Sequence, residues 1–221
     1  MSRRCVVFDL DGTLVDTPTG IVTTFAAVFA QLGLPTADSG AIRSTIGLPL
    51  PAAFAKLLGV ATDDPVAADC VELYQSTFRR IVLPMATQLV FPGVHDGLEE
   101  LEDNGFLLAV ATSKFIANAE ALLTAAGLRE HFKIVVGADQ VPAPKPDPAS
   151  GFLVLTALDV AAANAVMVGD TTHDVLMAHA AGMASIGVTY GVHSVEQLLS
   201  ANPTWLVDSF AGVVAAAKEC P

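Results

Sequence analysis

Six short apolar runs recur along the chain with helical patterns between them, and this alternation limits the fold more than any other feature. The runs are Cys5 to Phe8, Leu107 to Ala111, Ile134 to Val136, Val166 to Val168, Ile186 to Val188 and Leu206 to Val207. Strand-length runs separated by helices read as βα units around a parallel sheet. The first runs are apolar at consecutive positions and do not alternate, so both faces of those strands are expected to lie under helices. At 221 residues and 52% hydrophobic composition, the chain can bury the core such a sheet needs.

The rhythm breaks once. Between about Thr17 and Pro84 there is no convincing strand, and helices are expected over Pro18 to Gly33, Asp38 to Thr45, Pro51 to Gly59 and Pro65 to Val82, with Pro and Gly at most of their ends. The sheet rhythm returns after Phe91-Pro92-Gly93. The expected fold class is α/β: a Rossmann-like parallel sheet core, residues 1–16 and 85–221, carrying an inserted all-helical domain, residues 17–84.

Charge and cysteine usage narrow the function. A formal net charge of -12 repels polyanions, so nucleic acid and anionic membrane surfaces are poor partners, whereas a local site of metal and lysine still accepts a small phosphate ester. Cys5, Cys70 and Cys220 are few, odd in number and far apart, which points away from a disulfide scaffold or a zinc site and towards a reducing, cytoplasmic setting. Arg3 and Arg4 precede an apolar run that Asp9 interrupts at once, so no export signal is read there. A monomer or small homo-oligomer is expected.

The chemistry gathers at the carboxyl ends of the runs, where open α/β sheets bind ligands. The first run leads into Asp9-Leu10-Asp11-Gly12-Thr13. A helix cap explains one acid there, but not a second acid on the end of a fully apolar strand. Two carboxylates so close repel each other and resist desolvation unless a cation such as Mg²⁺ shares them. The second run leads into Thr112-Ser113-Lys114, where a hydroxyl beside a helix start can hold a phosphate, although Thr112 taken alone reads as a plain cap. Lys145 stands in Pro142-Ala143-Pro144-Lys145-Pro146-Asp147-Pro148, a stretch whose prolines hold it out of regular structure. The fourth piece, Gly169-Asp170-Thr171-Thr172-His173-Asp174, sets two acids about one helical turn apart, with Asp170 the better metal ligand. His173 has no second histidine at ligand spacing and is read as a surface or supporting residue, and His95, His131, His179 and His193 are read the same way. Each signal alone is modest; their order on successive strand ends is the evidence.

With these residues in place the chain resembles the haloacid dehalogenase superfamily in its phosphatase branch, over nearly its whole length. The resemblance rests on Asp9-Leu10-Asp11-Gly12-Thr13-Leu14-Val15-Asp16, on Thr112, on Lys145 and on Gly169-Asp170 through Asp174. It implies a magnesium-dependent phosphatase in which Asp9 takes the phosphoryl group, Asp11 serves as acid and then base, and Thr112, Ser113 and Lys145 hold phosphate oxygens. It also implies that Asp9, the Asp11 carbonyl and Asp170 hold Mg²⁺ while Asp174 orients the metal site. The helical insert is similar to the family's four-helix cap.

Rival readings differ at named residues. A dehalogenase of the same family lacks the second aspartate, so Asp11 argues against it; phosphonate cleavage needs a cap lysine where Lys56 does not stand. A sugar phosphomutase keeps the whole core and is the closer rival, with Arg43, Arg79 and Arg80 available for a second anionic group and Arg43 placed in the substrate site. The segment Ile46-Gly47-Leu48-Pro49-Leu50-Pro51 is similar to the cap loop of phosphoglycolate phosphatase-like members, which favours hydrolysis without fixing the substrate. A phosphorylatable signalling receiver, the rival from another class, is disfavoured by the long insert after the first strand.

Overall fold

The computed structural model describes residues 3–220. Its centre is a sheet of six parallel strands: β1 (Arg4–Phe8), β2 (Phe106–Ala111), β3 (Ile134–Val136), β4 (Ala165–Gly169), β5 (Ala184–Val188) and β6 (Trp205–Val207), in the order β3-β2-β1-β4-β5-β6. The strand at position one in the chain thus sits mid-sheet, paired with β2 through Val6↔Leu108 and with β4 through Val6↔Val166. Chain order reverses direction across β1, which opens a crevice at the carboxyl end of that strand.

Alternate side chains of β1 enter two separate cores. Val6 and Phe8 join one with Leu108, Val110 and Val168, whereas Cys5 and Val7 join the other with Ala109, Ala111 and Met167. Both faces of the strand are sealed, which is why it reads as an unbroken apolar run. All three cysteines are buried and free.

Among the described residues there are ten α-helices. In the first loop, α1 (Pro18–Gln31), α2 (Ser39–Arg43), α3 (Leu50–Leu58) and α4 (Pro65–Ile81) follow one another with no strand between them. Pro18 and Pro65 open α1 and α4, where a missing amide hydrogen costs nothing, and Asp38 and Asp64 cap α2 and α4. Gly59 ends α3 in the left-handed conformation. These helices share an aromatic core in which Phe25 and Phe54 have ring centroids 4.4 Å apart and Phe25 and Tyr74 5.0 Å.

The chain leaves and re-enters the sheet layer side by side. Asp16 N donates to Leu89 O at 2.7 Å and Phe91 N to Leu14 O at 3.1 Å, so the two connections to the helical segment are stitched together. The remaining helices, α5 (Val94–Asp103), α6 (Ile116–Ala125), α7 (Ala149–Leu158), α8 (Thr172–Ala180), α9 (Val195–Ser200) and α10 (Phe210–Glu219), alternate with the later strands. Among the described residues no helix is long and apolar enough to cross a membrane.

Candidate active site

Strand ends supply the acids. Asp9 follows β1 directly, and its amide still donates to Val168 O at 2.9 Å, so the sheet ladder holds the backbone up to the carboxylate. Asp170 follows β4 directly and is fully buried. Its Oδ1 accepts from Thr13 Oγ1 at 3.0 Å and its Oδ2 from Val192 N at 2.8 Å. Gly12, at φ +86°, and Gly191 approach this aspartate so closely that a Cβ on either would collide with it.

Lys145 completes the cluster. Although its neighbours Pro144 and Pro146 are exposed, the lysine itself is only 6% exposed. Its ammonium donates to Asp9 Oδ1 at 2.8 Å, to Asp174 Oδ1 at 2.5 Å and to Ala111 O at 3.1 Å, which uses all three N–H groups. Asp174, in the first turn of α8, accepts with its other oxygen from Thr171 N at 3.0 Å and from Thr171 Oγ1 at 2.7 Å. This carboxylate therefore caps its own helix and grips the lysine at once.

One carboxylate oxygen from each of Asp9, Asp170 and Asp174 lies within 4.8 Å of the others. Three buried acids thus face one ammonium, and the imbalance shows in their proton affinities. Burial pushes Asp9 up to about 7; Lys145 pulls it down and Asp174 pushes it further up. Burial, then Asp9 and Asp174, hold Asp170 well above the usual carboxylate range. Burial alone would lower Lys145, but Asp174 and Asp9 outweigh it and keep the ammonium charged. A divalent cation resolves this conflict, and an all-oxygen donor set of this size suits a hard ion. The cluster fits a metal ion on the chemistry of its donors.

Asp11 lies beside this cluster. Its Oδ1 accepts from Thr17 Oγ1 at 2.5 Å and its Oδ2 pairs with Lys114 Nζ at 3.0 Å. Thr17 occupies the residue before α1, but its hydroxyl makes no capping bond and goes to Asp11 instead. Lys114 Nζ also lies 4.0 Å from the centroid of the Phe78 ring on α4, so the ammonium touches an acid of the sheet layer and an aromatic of the helical segment together. Neither partner is visible in the sequence, because both contacts join segments far apart in the chain.

Thr112 is tied to the sheet by its amide, which donates to Val136 O at 2.9 Å, while its Oγ1 accepts from Lys114 N at 3.2 Å. Ser113 Oγ donates to Gly47 O at 2.7 Å, a direct bond from the sheet layer to the loop before α3. Asp9, Asp11, Thr112, Ser113 and Lys114 line one side of a cavity of about 50 Å³ beneath the helical segment. Arg43 stands apart from it: the side chain is exposed, and Nη2 donates to Thr19 Oγ1 at 3.1 Å. His173 is half-buried beside the Gly47 loop, its Nδ1 has no hydrogen-bond partner, and burial lowers its pKa.

Residues 6–188 match the model of the haloacid dehalogenase-like hydrolase family. The chain belongs to that family, as a phosphatase. A Dickeya dadantii (strain 3937) protein named "Probable phosphatase IndB" is 54% identical over 97% of this chain and 94% of its own length. A phosphoglycolate phosphatase of Yersinia pseudotuberculosis is 32% identical over 96% of this chain and 92% of its own. The crystal structure of CbbY from Rhodobacter sphaeroides in complex with phosphate superposes with a TM-score of 0.78 at 28% identity, covering 96% of each chain. In this chain the acid and lysine cluster stands at the carboxyl edge of the six-stranded parallel sheet.

Proposed function

We propose that the chain removes the phosphoryl group from a small-molecule phosphate monoester, with Mg²⁺, through an aspartyl-phosphate intermediate on Asp9. The observation that carries this reading is the buried grip of Lys145 on Asp9 and Asp174 with Asp170 alongside, in which Asp9 also lines a cavity. Phosphoryl transfer asks a protein for alignment and charge neutralisation more than for covalent work, and a fixed carboxylate among these groups supplies both.

In the first step an Asp9 carboxylate oxygen forms a bond to phosphorus as the ester P–O bond breaks, and Asp11 gives a proton to the departing alcohol oxygen. In the second, water adds to phosphorus, Asp11 takes its proton and the Asp9 oxygen leaves, restoring the carboxylate and releasing inorganic phosphate. Asp9, the backbone carbonyl of Asp11 and Asp170 would hold the metal. When bound, Mg²⁺ supplies the positive charge that lets these acids stay ionised and that stabilises the charge on the transferring group. Asp174, with both oxygens engaged by Lys145 and Thr171, keeps the lysine and the acids in register. Lys145, its three N–H groups spent on Asp9, Asp174 and Ala111, holds Asp9 in place and sets a positive charge beneath the transferring group, while the Thr112 hydroxyl and the Ser113 amide receive phosphate oxygens.

Residues 17–84 act in this reading as a cap over the core formed by residues 1–16 and 85–221, excluding water and selecting the alcohol. The test is phosphate release from a panel of small phosphate esters, including phosphoglycolate and hexose phosphates, with Mg²⁺ and with EDTA. Turnover only with the metal is expected. Release that persists undiminished in EDTA would remove the metal from the scheme, and isomerised sugar phosphate without free phosphate would make the enzyme a mutase.

A further inference from the structure

The cavity above Asp9 has two chemically distinct halves. Opposite the polar side, its wall comes from the helical segment and is apolar: Ile21 and Phe25 on α1, Ile46 and Leu48 in the loop between α2 and α3, and Leu50 on α3, with the Tyr74 ring beside Phe25. Hydroxyls at this wall are turned to backbone. Thr45 Oγ1 donates to Ile42 O at 2.7 Å, and Ser113 Oγ, from the polar side, donates across to Gly47 O at 2.7 Å.

Positive charge is equally committed. Lys114 is the one cation among the lining residues, and Asp11 and the Phe78 face already occupy its ammonium. None of the cations of the helical segment lines the cavity: Arg43 donates to Thr19, Arg79 donates to Asn118 on α6 at 2.8 Å, and Lys56 and Arg80 are exposed, Lys56 on the His173 side. An ester with its phosphorus against Asp9 therefore lays its alcohol portion on a wall that offers, among the described residues, no free cation. A carboxylate loses its water there without gaining a partner, whereas a hydrocarbon or aromatic face gains burial and ring contacts.

We infer that the substrate is the phosphate monoester of an uncharged alcohol that presents an apolar or aromatic face, and that the wall discriminates against a leaving group carrying a second anion such as phosphoglycolate. This narrows the phosphatase reading and rests on it. It also separates the chain from relatives at about a third identity that are named for phosphoglycolate, such as the 32% identical Yersinia enzyme.

The experiment compares kcat/KM of the Mg²⁺-loaded enzyme on two matched pairs: phosphoglycolate against its neutral amide, and ethyl phosphate against benzyl phosphate. The amide is expected to exceed phosphoglycolate by about tenfold or more, and benzyl to exceed ethyl phosphate by a similar factor. Leu48→Lys, which adds a cation at a half-buried loop position of the wall, should shift the first ratio back towards phosphoglycolate. Phosphoglycolate turned over as well as or better than its amide overturns the inference and leaves the phosphatase reading standing. So does an amide-to-acid ratio that Leu48→Lys leaves unmoved. No phosphate from any of the four esters overturns the phosphatase reading itself, and the inference with it.

Discussion

Lys145 and Asp9 are 136 positions apart in the chain, and the lysine Nζ stands 2.8 Å from the aspartate Oδ1 in a site almost closed to water. The same ammonium reaches Asp174, so one cation offsets two buried acids. Lys145→Met keeps the length and removes the charge, leaving both carboxylates uncompensated. Breaking a buried pair from one side costs about 3–5 kcal/mol. The metal-free variant should lose that much unfolding free energy and so unfold at a lower urea concentration, with phosphate release lost. An unchanged urea midpoint would show that the lysine does not offset these acids.

Asp9→Asn acts in the opposite sense on stability. It removes the proposed nucleophile, so turnover should fall below detection. It also removes a carboxyl group that burial has pushed up to about 7, while Lys145 keeps Asp174 as its partner. The metal-free variant is therefore expected to be at least as stable as the parent in urea, with an unaltered circular dichroism spectrum. More than a trace of phosphate release would take the nucleophile's role from Asp9.

The contrast between these two residues shows how far the sequence could be read. Asp9 and Asp170 are legible because each directly ends a run of consecutive apolar residues, and a strand sealed on both faces leaves its tip as the one place for a charge. The strands and the four helices of the insert follow from the same patterning to within a few residues. Lys145 is legible as a lysine held by prolines, but its burial is not, since nothing local distinguishes it from a solvated loop residue. Contacts made by tertiary geometry stay hidden: Lys114 bridges Asp11 to Phe78, segments far apart in the chain, and nothing local in the sequence marks it for that role. Gly191 and Val192, which pack against and donate to Asp170, follow β5 and share the same sheet edge. The strand-end rule extended to that fifth tip points to them.

Removing the metal should make stability fall as pH rises. Asp9 and Asp170 have proton affinities raised above those of an unfolded chain, so the folded state binds more protons between the unfolded value near 3.8 and, for Asp9, about 7. A carboxyl group of this kind costs no stability below that window and is increasingly destabilising through it. For Asp9 the cost is on the order of a few kcal/mol, because each tenfold rise in proton affinity on folding corresponds to about 1.4 kcal/mol, and Asp170 adds in the same direction. In EDTA the thermal midpoint is expected to drop from pH 5 to pH 8. Added Mg²⁺ should raise it more at pH 8 than at pH 5. An equal Mg²⁺ effect at both pH values would separate these acids from metal binding.

Gly47 joins the helical segment to the sheet layer at a point where only backbone fits well. Its φ is +95°, its carbonyl accepts from Ser113 Oγ at 2.7 Å, and a Cβ there would lie 3.3 Å from Thr171 Cγ2 and 3.4 Å from His173 Nδ1. Alanine in this conformation carries roughly 1–2 kcal/mol of strain, and its methyl group presses on the start of α8. If the helical segment opens and closes as a cap, strain at this position opposes the arrangement in which the loop sits on Thr171 and Ser113. Gly47→Ala is expected to lower kcat and raise KM together, with kcat/KM falling about 5- to 30-fold, the factor that 1–2 kcal/mol corresponds to. Ser113→Ala removes the hydrogen bond without strain and should have the smaller effect. Steady-state kinetics on the two variants check the order: if Ser113→Ala proves the more damaging, the Ser113 hydroxyl rather than the loop's backbone conformation governs closure.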